Sequence, residues 1–171
     1  RWVVIATERA KRPHDFTCQA RARADSGENC PFCEGHEEQT PPEVMAYRRD
    51  GTAPNSPGWT VRVVPNLYPA FSPAEGSLGL RHCGLFVTQQ ALGGHEVLIA
   101  SPEHLEDMTK LPLRQYELLA KSYVDRYLAQ VTNPLVQYVH LIMNYGKEAG
   151  ASRDHPHSQL FALPLVPSLV E

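Results

Sequence analysis

The chain has 171 residues, of which 42% are hydrophobic and 20% charged, so it can form one globular domain with its own core. Its formal net charge of −3 argues against non-specific nucleic-acid binding, which depends on a strong basic excess. No apolar run approaches the roughly 20 residues of a membrane span, and no signal-peptide layout is present. We therefore expect a cytoplasmic protein with no membrane partner.

The first half of the chain is predicted to contain two strands separated by a long loop. Residues 2–6 form an apolar run typical of a strand, and residues 59–64 alternate and are rich in β-branched side chains. Residues 17–58 contain several proline motifs and are predicted as loop. The chain starts without methionine in an apolar run, and no helix or strand is predicted at its last residues, so we expect it to be part of a longer protein.

Two further strands are predicted before a long helix. Residues 84–90 and 95–101 are strand-like, and the glycine pair at 93–94 is predicted to join them in a hairpin. Apolar and tyrosine side chains then recur every three or four positions over residues 112–131, which predicts one amphipathic helix with Pro112 at its start. Its tyrosine stripe is interpreted as packing against a sheet.

The last third of the chain is predicted to add two strands, over residues 135–144 and 155–165, with a glycine-containing loop between them. Several strands, one long helix and loops too short for crossover connections indicate an α+β fold with a largely antiparallel sheet.

The cysteines indicate a metal site rather than a disulfide framework, since no secretory signal accompanies them. Cys30 and Cys33 form a C-x-x-C pair, the geometry of half a zinc site. The alternative is a redox pair of the thioredoxin type. That alternative calls for a helix directly after the motif, whereas a proline-rich loop follows here.

The other half of a zinc site must come from histidines, because a second C-x-x-C is absent. Sequence spacing alone does not select among the eight histidines. His104 follows a predicted strand and His155 begins another, so both are better placed than His14 and His36, which lie in loops. His140 is interpreted as a core or packing histidine within an apolar strand.

The segment from His155 to Gln159, with the sequence HPHSQ, is the strongest indication of chemistry. Alternate residues of a strand share a face, so His157 and Gln159 can converge on one ligand, with His155 in the same row. This arrangement favours chemistry on phosphorus, and the alternative is a chance pair of surface histidines. The Gly-Lys pair at 146–147 lacks the Walker pattern, which argues against an NTPase loop.

These motifs together resemble the galactose-1-phosphate uridylyltransferase family, a branch of the histidine-triad superfamily of nucleotidyl transferases and hydrolases. The resemblance rests on the order of the motifs along nearly the whole chain. They are RAKRP at 9–13, CPFC at 30–33, PNLYPA at 65–70, HEV at 95–97 leading to SPEH at 101–104, the stretch from Asn144 through GAS at 150–152, and HPHSQ at 155–159. It implies a histidine-triad-like fold and makes residues 1–171 the N-terminal domain of an enzyme whose similar second half follows.

The resemblance also implies roles for particular residues. His157 matches the nucleophile, and Gln159 matches the side chain that hydrogen-bonds the phosphoryl oxygens. The structural zinc ligands, with iron as a possible substitute, are matched by Cys30, Cys33, His104 and His155. The positions that contact the nucleotide or phosphates are matched by Arg9, Arg12, Phe32, Asn66, Asn144, Gly150 and Ser152. Taken alone, the arginines could be solvated charges and Asn66 a turn cap.

The implied reaction is transfer of a uridylyl group between UDP-glucose and hexose (galactose) 1-phosphate through a covalent nucleotidyl-histidine, with ping-pong kinetics. Ser158 stands where many members have glycine, and a serine there also occurs in relatives that look like ADP-glucose phosphorylases. The pair Arg153-Asp154 also departs from the commonest family pattern. The alternatives are therefore an adenylyl-transferring phosphorylase and a zinc-stabilised, non-catalytic binding module. The expected partners are a nucleotide sugar, a sugar 1-phosphate and, by family tendency, a second copy in a homodimer.

Overall fold

The main body of the protein is a five-stranded antiparallel sheet with one long helix on one face. A computed structural model of the chain describes residues 2–7, 11, 27–49, 51–73, 78–105, 107–149, 151, 153–168 and 170. The strands of the sheet are β1 (Met45–Arg48), β2 (Trp59–Pro65), β5 (Gly94–Ile99), β6 (Tyr138–Ile142) and β7 (His157–Leu163), in the order β1-β2-β5-β7-β6. A separate two-stranded ribbon is formed by β3 (Arg81–Cys83) and β4 (Phe86–Thr88). The predicted α+β fold with a largely antiparallel sheet is thus confirmed.

The helix α1 (Leu113–Val131) covers one face of the sheet. It begins directly after Pro112, as predicted, because proline is tolerated at a helix start. Tyr123 packs against a cluster of buried sheet residues, and Tyr116 packs against a cluster that includes Val61 of β2, which supports the interpretation of the tyrosine stripe at these two positions. Among the described residues, no helix is both long and apolar enough to cross a membrane.

A buried ion pair fixes the helix to the central strand β5. Both carboxylate oxygens of Glu96 accept hydrogen bonds from Arg126, at 2.6 and 2.8 Å, and Gln130 donates a third bond at 2.6 Å. Because side chains alternate along a strand, Glu96 faces the helix while its neighbours His95 and Val97 face the opposite side. That opposite face carries the candidate site.

A polar network connects β1, β2 and the loop before β1. Glu43 accepts hydrogen bonds from Arg48 at 2.7 Å and from the buried Arg62 at 3.0 Å. Arg62 in turn donates to the hydroxyl of Thr40 at 2.8 Å. Burial alone would raise the pKa of the Glu43 carboxyl, but the hydrogen bonds from Arg48 and Arg62 outweigh it and hold that pKa below its ordinary value.

Replacing Glu43 by glutamine is therefore expected to lower the free energy of unfolding at neutral pH and to make unfolding less sensitive to acid. A carboxyl whose pKa is lower when folded contributes its full stabilisation above its ordinary pKa of 4.5 and loses it as the pH falls below that value. Urea unfolding of both proteins at neutral pH and at several values below 4.5 measures this difference. An equal loss of stability at every pH would contradict the expectation.

Three of the sequence-based predictions about strands were wrong. Residues 2–6 form no strand, and most of their apolar side chains are exposed. A short strand, β1, lies inside the segment predicted as loop. The predicted hairpin at 93–94 does not form, because β4 pairs with β3 while β5 lies between β2 and β7. Gly93 instead allows its backbone to lie close to β7, since a Cβ atom at this position would lie 2.1 Å from the carbonyl oxygen of Ala162. Gly93 also has a φ of +146°, which residues with a side chain rarely adopt.

Candidate functional site

Two cysteines and two histidines from distant parts of the chain meet beside the sheet. Cys30 and Cys33 lie on a turn, His104 lies in the loop after β5, and His155 lies two residues before β7. Their ligand atoms all lie within 4.8 Å of one another. The sulfur of Cys30 lies 3.6 Å from Nδ1 of His155, and the sulfur of Cys33 lies 3.5 Å from Nδ1 of His104 and 3.6 Å from Nδ1 of His155. This cluster could hold a metal ion.

The turn around the cysteines is shaped to bring both sulfurs to one point. The backbone N–H of Cys30 donates to the carbonyl of Gly27 at 3.1 Å, and that of Cys33 to the carbonyl of Cys30 at 3.2 Å. Gly27 has a φ of +78°, and a Cβ atom there would lie 2.9 Å from Cβ of His104. Only glycine fits this close approach between the turn and the loop that carries His104.

Burial shifts the pKa values of two side chains of the cluster, His155 and Cys30. Nε2 of His155 lies 2.9 Å from the carbonyl oxygen of Ser101 and donates to it, so Nδ1 is the nitrogen that faces the sulfurs. Burial lowers the pKa of His155 to about 3, which keeps its imidazole neutral at pH 7. Burial also raises the pKa of the Cys30 thiol, so a thiolate at this position calls for a neighbouring cation.

A cleft opens beside the cluster, on the face of the sheet opposite α1. It is lined by residues of the cysteine turn, the loop at 39–41, the end of β2, β5 and β7. The lining includes Phe32, Thr40, Asn66, Tyr68, Arg153, His157 and Gln159. The ring centroid of Phe32 lies 5.2 Å from that of His157. The cleft therefore shares a wall with the cysteine turn.

The histidine at the bottom of the cleft has a defined tautomer. His157 is only 5% exposed, and its Nδ1 lies 2.8 Å from the carbonyl oxygen of His155. A carbonyl oxygen only accepts, so Nδ1 carries the proton and Nε2 is the nitrogen with the lone pair in the neutral ring. His155 thus makes two contacts, because its side chain faces the cluster and its carbonyl accepts the hydrogen bond from His157.

Gln159 lies next to His157 on the same face of β7 and contacts a third histidine. Its Oε1 lies 2.9 Å from Nε2 of His95 on the neighbouring strand β5. Nδ1 of His95 accepts the backbone N–H of Ala70 at 3.0 Å. Asn66 completes the group, with its Nδ2 at 3.1 Å from Nε2 of His95. Two amide side chains that line the cleft, Asn66 and Gln159, therefore contact one buried imidazole.

The structure brings together most of the described residues that the sequence singled out. Phe32, Asn66, His157 and Gln159 line one cleft, and the four predicted metal ligands form one cluster. Asn144 lies beyond the end of β6 and does not line the cleft. The remaining predicted positions, Arg9, Arg12, Gly150 and Ser152, lie outside the described residues.

The structure refines the sequence-based interpretation of three histidines and of Ser158. His155 does not continue the row of His157 and Gln159, because it precedes β7 and its ring joins the metal cluster. His140 is exposed on the edge strand and stacks on Tyr138, so it packs but does not belong to the core. His36 is not a member of the cluster, and its Nδ1 lies 2.7 Å from the carbonyl of Cys30.

Ser158 faces the helix, where its hydroxyl lies 2.7 Å from that of Tyr123, so its side chain does not reach the cleft.

Sequence reasoning missed two residues of the site. Arg153 places a cation in the cleft lining, although the sequence had marked it only as a departure from the family pattern. His95 lies in the HEV motif at 95–97, but no role was predicted for it from the sequence. Its signal was the alternation along β5, which puts His95 and Val97 on one face, but the register that sets Val97 opposite Gln159 is not visible in the sequence.

The protein combines an α+β fold and an antiparallel sheet with a Cys₂His₂ cluster, which lies beside a cleft lined by His157. Comparison with known proteins shows the family to which it belongs. The family model of the galactose-1-phosphate uridyl transferase N-terminal domain matches residues 1–167. The chain belongs to this family, as the sequence motifs predicted.

Individual relatives carry two different names. The chain is 34% identical to an ADP-glucose phosphorylase of Arabidopsis thaliana, over 99% of this chain and 48% of that protein. It is 28% identical to a galactose-1-phosphate uridylyltransferase of Thermotoga maritima, over 99% of this chain and 46% of that protein. The crystal structure of an Arabidopsis thaliana ADP-glucose phosphorylase with bound ADP-glucose aligns with a TM-score of 0.67 and 31% identity, over 99% of this chain and 48% of that one. The chain thus spans about half the length of these relatives.

Proposed function

We propose that this chain is the N-terminal domain of a nucleotidyltransferase that forms a covalent nucleotidyl intermediate on His157. The observation that carries the proposal is the tautomer of His157. Its Nδ1 donates to the carbonyl of His155, so the lone pair is on Nε2 of a buried imidazole whose side chain lines the cleft. Membership of the family supports the same conclusion.

The proposed reaction has two displacements at the α-phosphorus of a nucleotide sugar. Nε2 of His157 attacks the phosphorus, an N–P bond forms, and the P–O bond to the sugar phosphate breaks with the electron pair leaving on that phosphate. A second phosphate then attacks the nucleotidyl-histidine and restores the imidazole. The leaving phosphate is already a stable anion, so no strong general acid is needed, and the ring gains positive charge that the His155 carbonyl stabilises.

Arg153 and Gln159 supply charge and orientation in this scheme. Both line the cleft with His157. A guanidinium and an amide N–H group are donors suited to phosphoryl oxygens, which only accept hydrogen bonds. We assign them to the phosphates, with Asn66 and Phe32 beside the nucleotide.

The cluster of two cysteines and two histidines fits a structural zinc. Tetrahedral bonds of about 2.3 Å to sulfur and about 2.0–2.1 Å to nitrogen place the two atoms about 3.6 Å apart. The observed sulfur–nitrogen distances are 3.5 to 3.6 Å. Thiolate and imidazole ligands suit zinc, and four protein ligands would leave it no open position for substrate. Bound zinc would stiffen the turn and the start of β7 without taking part in the displacement.

Two nucleotide donors are supported by different observations. The family model is named for a galactose-1-phosphate uridyl transferase, which supports uridylyl transfer. For the full-length protein we propose transfer between UDP-glucose and galactose 1-phosphate. The 34% identity to an ADP-glucose phosphorylase supports adenylyl transfer to phosphate as the second candidate. Ser158 does not decide between them, because its side chain faces Tyr123.

Steady-state kinetics of the full-length protein test the assignment. The rate is measured with UDP-glucose and galactose 1-phosphate, and separately with ADP-glucose and inorganic phosphate. We expect a higher kcat/KM for the first pair, with the parallel lines of ping-pong kinetics. A higher value for the second pair would assign the adenylyl reaction, and inactivity with both pairs in a folded, metal-loaded protein would favour the non-catalytic binding module. The homodimer, the two-half domain organisation and the cytoplasmic location stay predictions.

A further inference from the structure

We propose that His95 is a positioning residue that fixes the direction of the Gln159 amide, so that the amino group and not the carbonyl oxygen faces the reacting phosphate. This inference rests on the proposed function of the cleft and assigns a role to a side chain that the scheme above does not use. His95 is buried on β5 and is not among the residues that line the cleft, so we do not assign its ring to the displacement itself.

The backbone of Ala70 determines the tautomer of His95. The N–H group of Ala70 points at Nδ1 from 3.0 Å, and a backbone N–H group can only donate. Nδ1 must therefore carry the lone pair, and the neutral ring carries its proton on Nε2. The ring cannot turn over easily, because it stacks on Phe161 with ring centroids 4.1 Å apart and planes inclined by 24°.

The Nε2 proton of His95 then determines the direction of Gln159. An amide side chain can place either its oxygen or its nitrogen at a given point, and the choice follows from the hydrogen bonds available. Nε2 of His95 is a donor, so it selects Oε1 of Gln159, which lies 2.9 Å away. The amino group of Gln159 is thereby the part of the amide left to meet a ligand oxygen.

The direction of the Asn66 amide is also determined by a hydrogen-bond donor, which in this case is a backbone N–H group. The backbone N–H of Tyr68 donates to its Oδ1 at 2.9 Å, which leaves Nδ2 on the side of His95. Since Nε2 of His95 is protonated, the 3.1 Å contact between it and Nδ2 joins two donors and is not a hydrogen bond. An acceptor-only ligand between the two amides, such as a phosphoryl group, would meet the amino groups of both.

Loss of the His95 proton would leave Gln159 able to rotate by half a turn. Its carbonyl oxygen would then face the phosphoryl oxygens, and two acceptors would repel each other. We expect the rate of the nucleotidylation step to fall while donor binding changes little, because the amide contributes most as charge develops on phosphorus.

Two substitutions separate the two nitrogens of His95. In His95→Asn the amide can accept from Ala70 in place of Nδ1 but is too short to reach Gln159. In His95→Gln the amide nitrogen can stand in for Nε2 and donate to Gln159. We expect His95→Asn to slow single-turnover nucleotidylation by roughly 10- to 100-fold, the range for loss of an orienting partner, with little change in KM, and His95→Gln to retain most of the rate.

A double-mutant cycle in the full-length protein completes the test. If His95 acts through Gln159, then His95→Asn has no further effect on the rate in a Gln159→Ala background. Equal rates for wild type and His95→Asn, or full additivity with Gln159→Ala, would overturn the proposal, and equal losses in His95→Asn and His95→Gln would indicate a purely structural role.

A spectroscopic measurement separates this proposal from the proposed function. Long-range ¹H–¹⁵N correlation spectra of the ligand-free, histidine-labelled full-length protein report the tautomer of His95 without any turnover. We expect the Nε2–H tautomer, and an Nδ1–H tautomer would overturn the role given to His95. If the wild-type protein formed no nucleotidyl-enzyme, the proposed function would be wrong. The role of His95 in that function would then be wrong too, whichever tautomer the spectra showed.

Discussion

The His157→Ala variant is expected to form no nucleotidyl-enzyme with either nucleotide sugar, although it folds and binds metal as the wild type does. The substitution removes the only atom assigned to the N–P bond, and loss of an enzymatic nucleophile reduces kcat by a factor on the order of 10⁴ to 10⁶. His157 contributes no ligand atom to the cluster, which consists of Cys30, Cys33, His104 and His155. The metal content should therefore be unchanged.

The measurement is single-turnover labelling with a donor carrying radioactive α-phosphate, together with metal analysis of the same samples. His82→Ala is a matched control, because His82 is exposed on the separate ribbon formed by β3 and β4. It should label as the wild type does. Full turnover by His157→Ala would show that the nucleophile is another residue, and a parallel loss of metal would show that its role is structural.

The Cys30→Ser variant is expected to lose metal and a large part of its stability. Cys30 is 2% exposed and His155 1% exposed, so the cluster connects the cysteine turn to the start of β7 from within the protein interior. A serine hydroxyl is a much poorer zinc ligand than a thiolate, and loss of a structural metal site lowers the free energy of unfolding by roughly 4 kcal/mol or more. The turn also supplies Phe32 to the cleft, so activity should fall as a consequence.

Metal analysis and urea unfolding test this expectation, and the chain offers a matched control. Cys83→Ser makes the same chemical change at an exposed cysteine of β3 that lies outside the cluster. The control should keep its metal content and its unfolding midpoint. Equal metal content and equal stability in Cys30→Ser and the wild type would contradict the assignment of the cluster as a structural metal site.

The elements that sequence reasoning predicted correctly are those with a clear period. Residues 59–64 alternate and form β2, and residues 112–131 repeat every three or four positions and form α1. β1 was missed because its four residues lie among proline and turn motifs, where so short a strand has no visible period. The hairpin at 93–94 was wrong because a glycine pair can serve a close approach as well as a turn, and only the packing of Gly93 on Ala162 distinguishes them.

The residues of the candidate site that lie in recognisable motifs could be predicted from the sequence. The C-x-x-C pair, His104 and His155 meet as the resemblance implied, and the period of two placed His157 with Gln159 on one face of β7. The register between β5 and β7 was not predictable, because it depends on contacts between segments more than 50 residues apart, such as Glu96 with Leu160. For the same reason the contact of His95 with Gln159, and that of Ser158 with Tyr123, became visible only in the folded chain.

The proposed mechanism depends on a covalent bond between a nucleotidyl group and Nε2 of His157. Its most direct test is tandem mass spectrometry of the full-length protein, quenched at alkaline pH after incubation with the nucleotide sugar and without acceptor. We predict one nucleotidyl group on the peptide that contains residues 155–159, with fragment ions that place it on His157. A nucleotidyl group on any other residue, or turnover without any covalent adduct, would rule out His157 as the nucleophile.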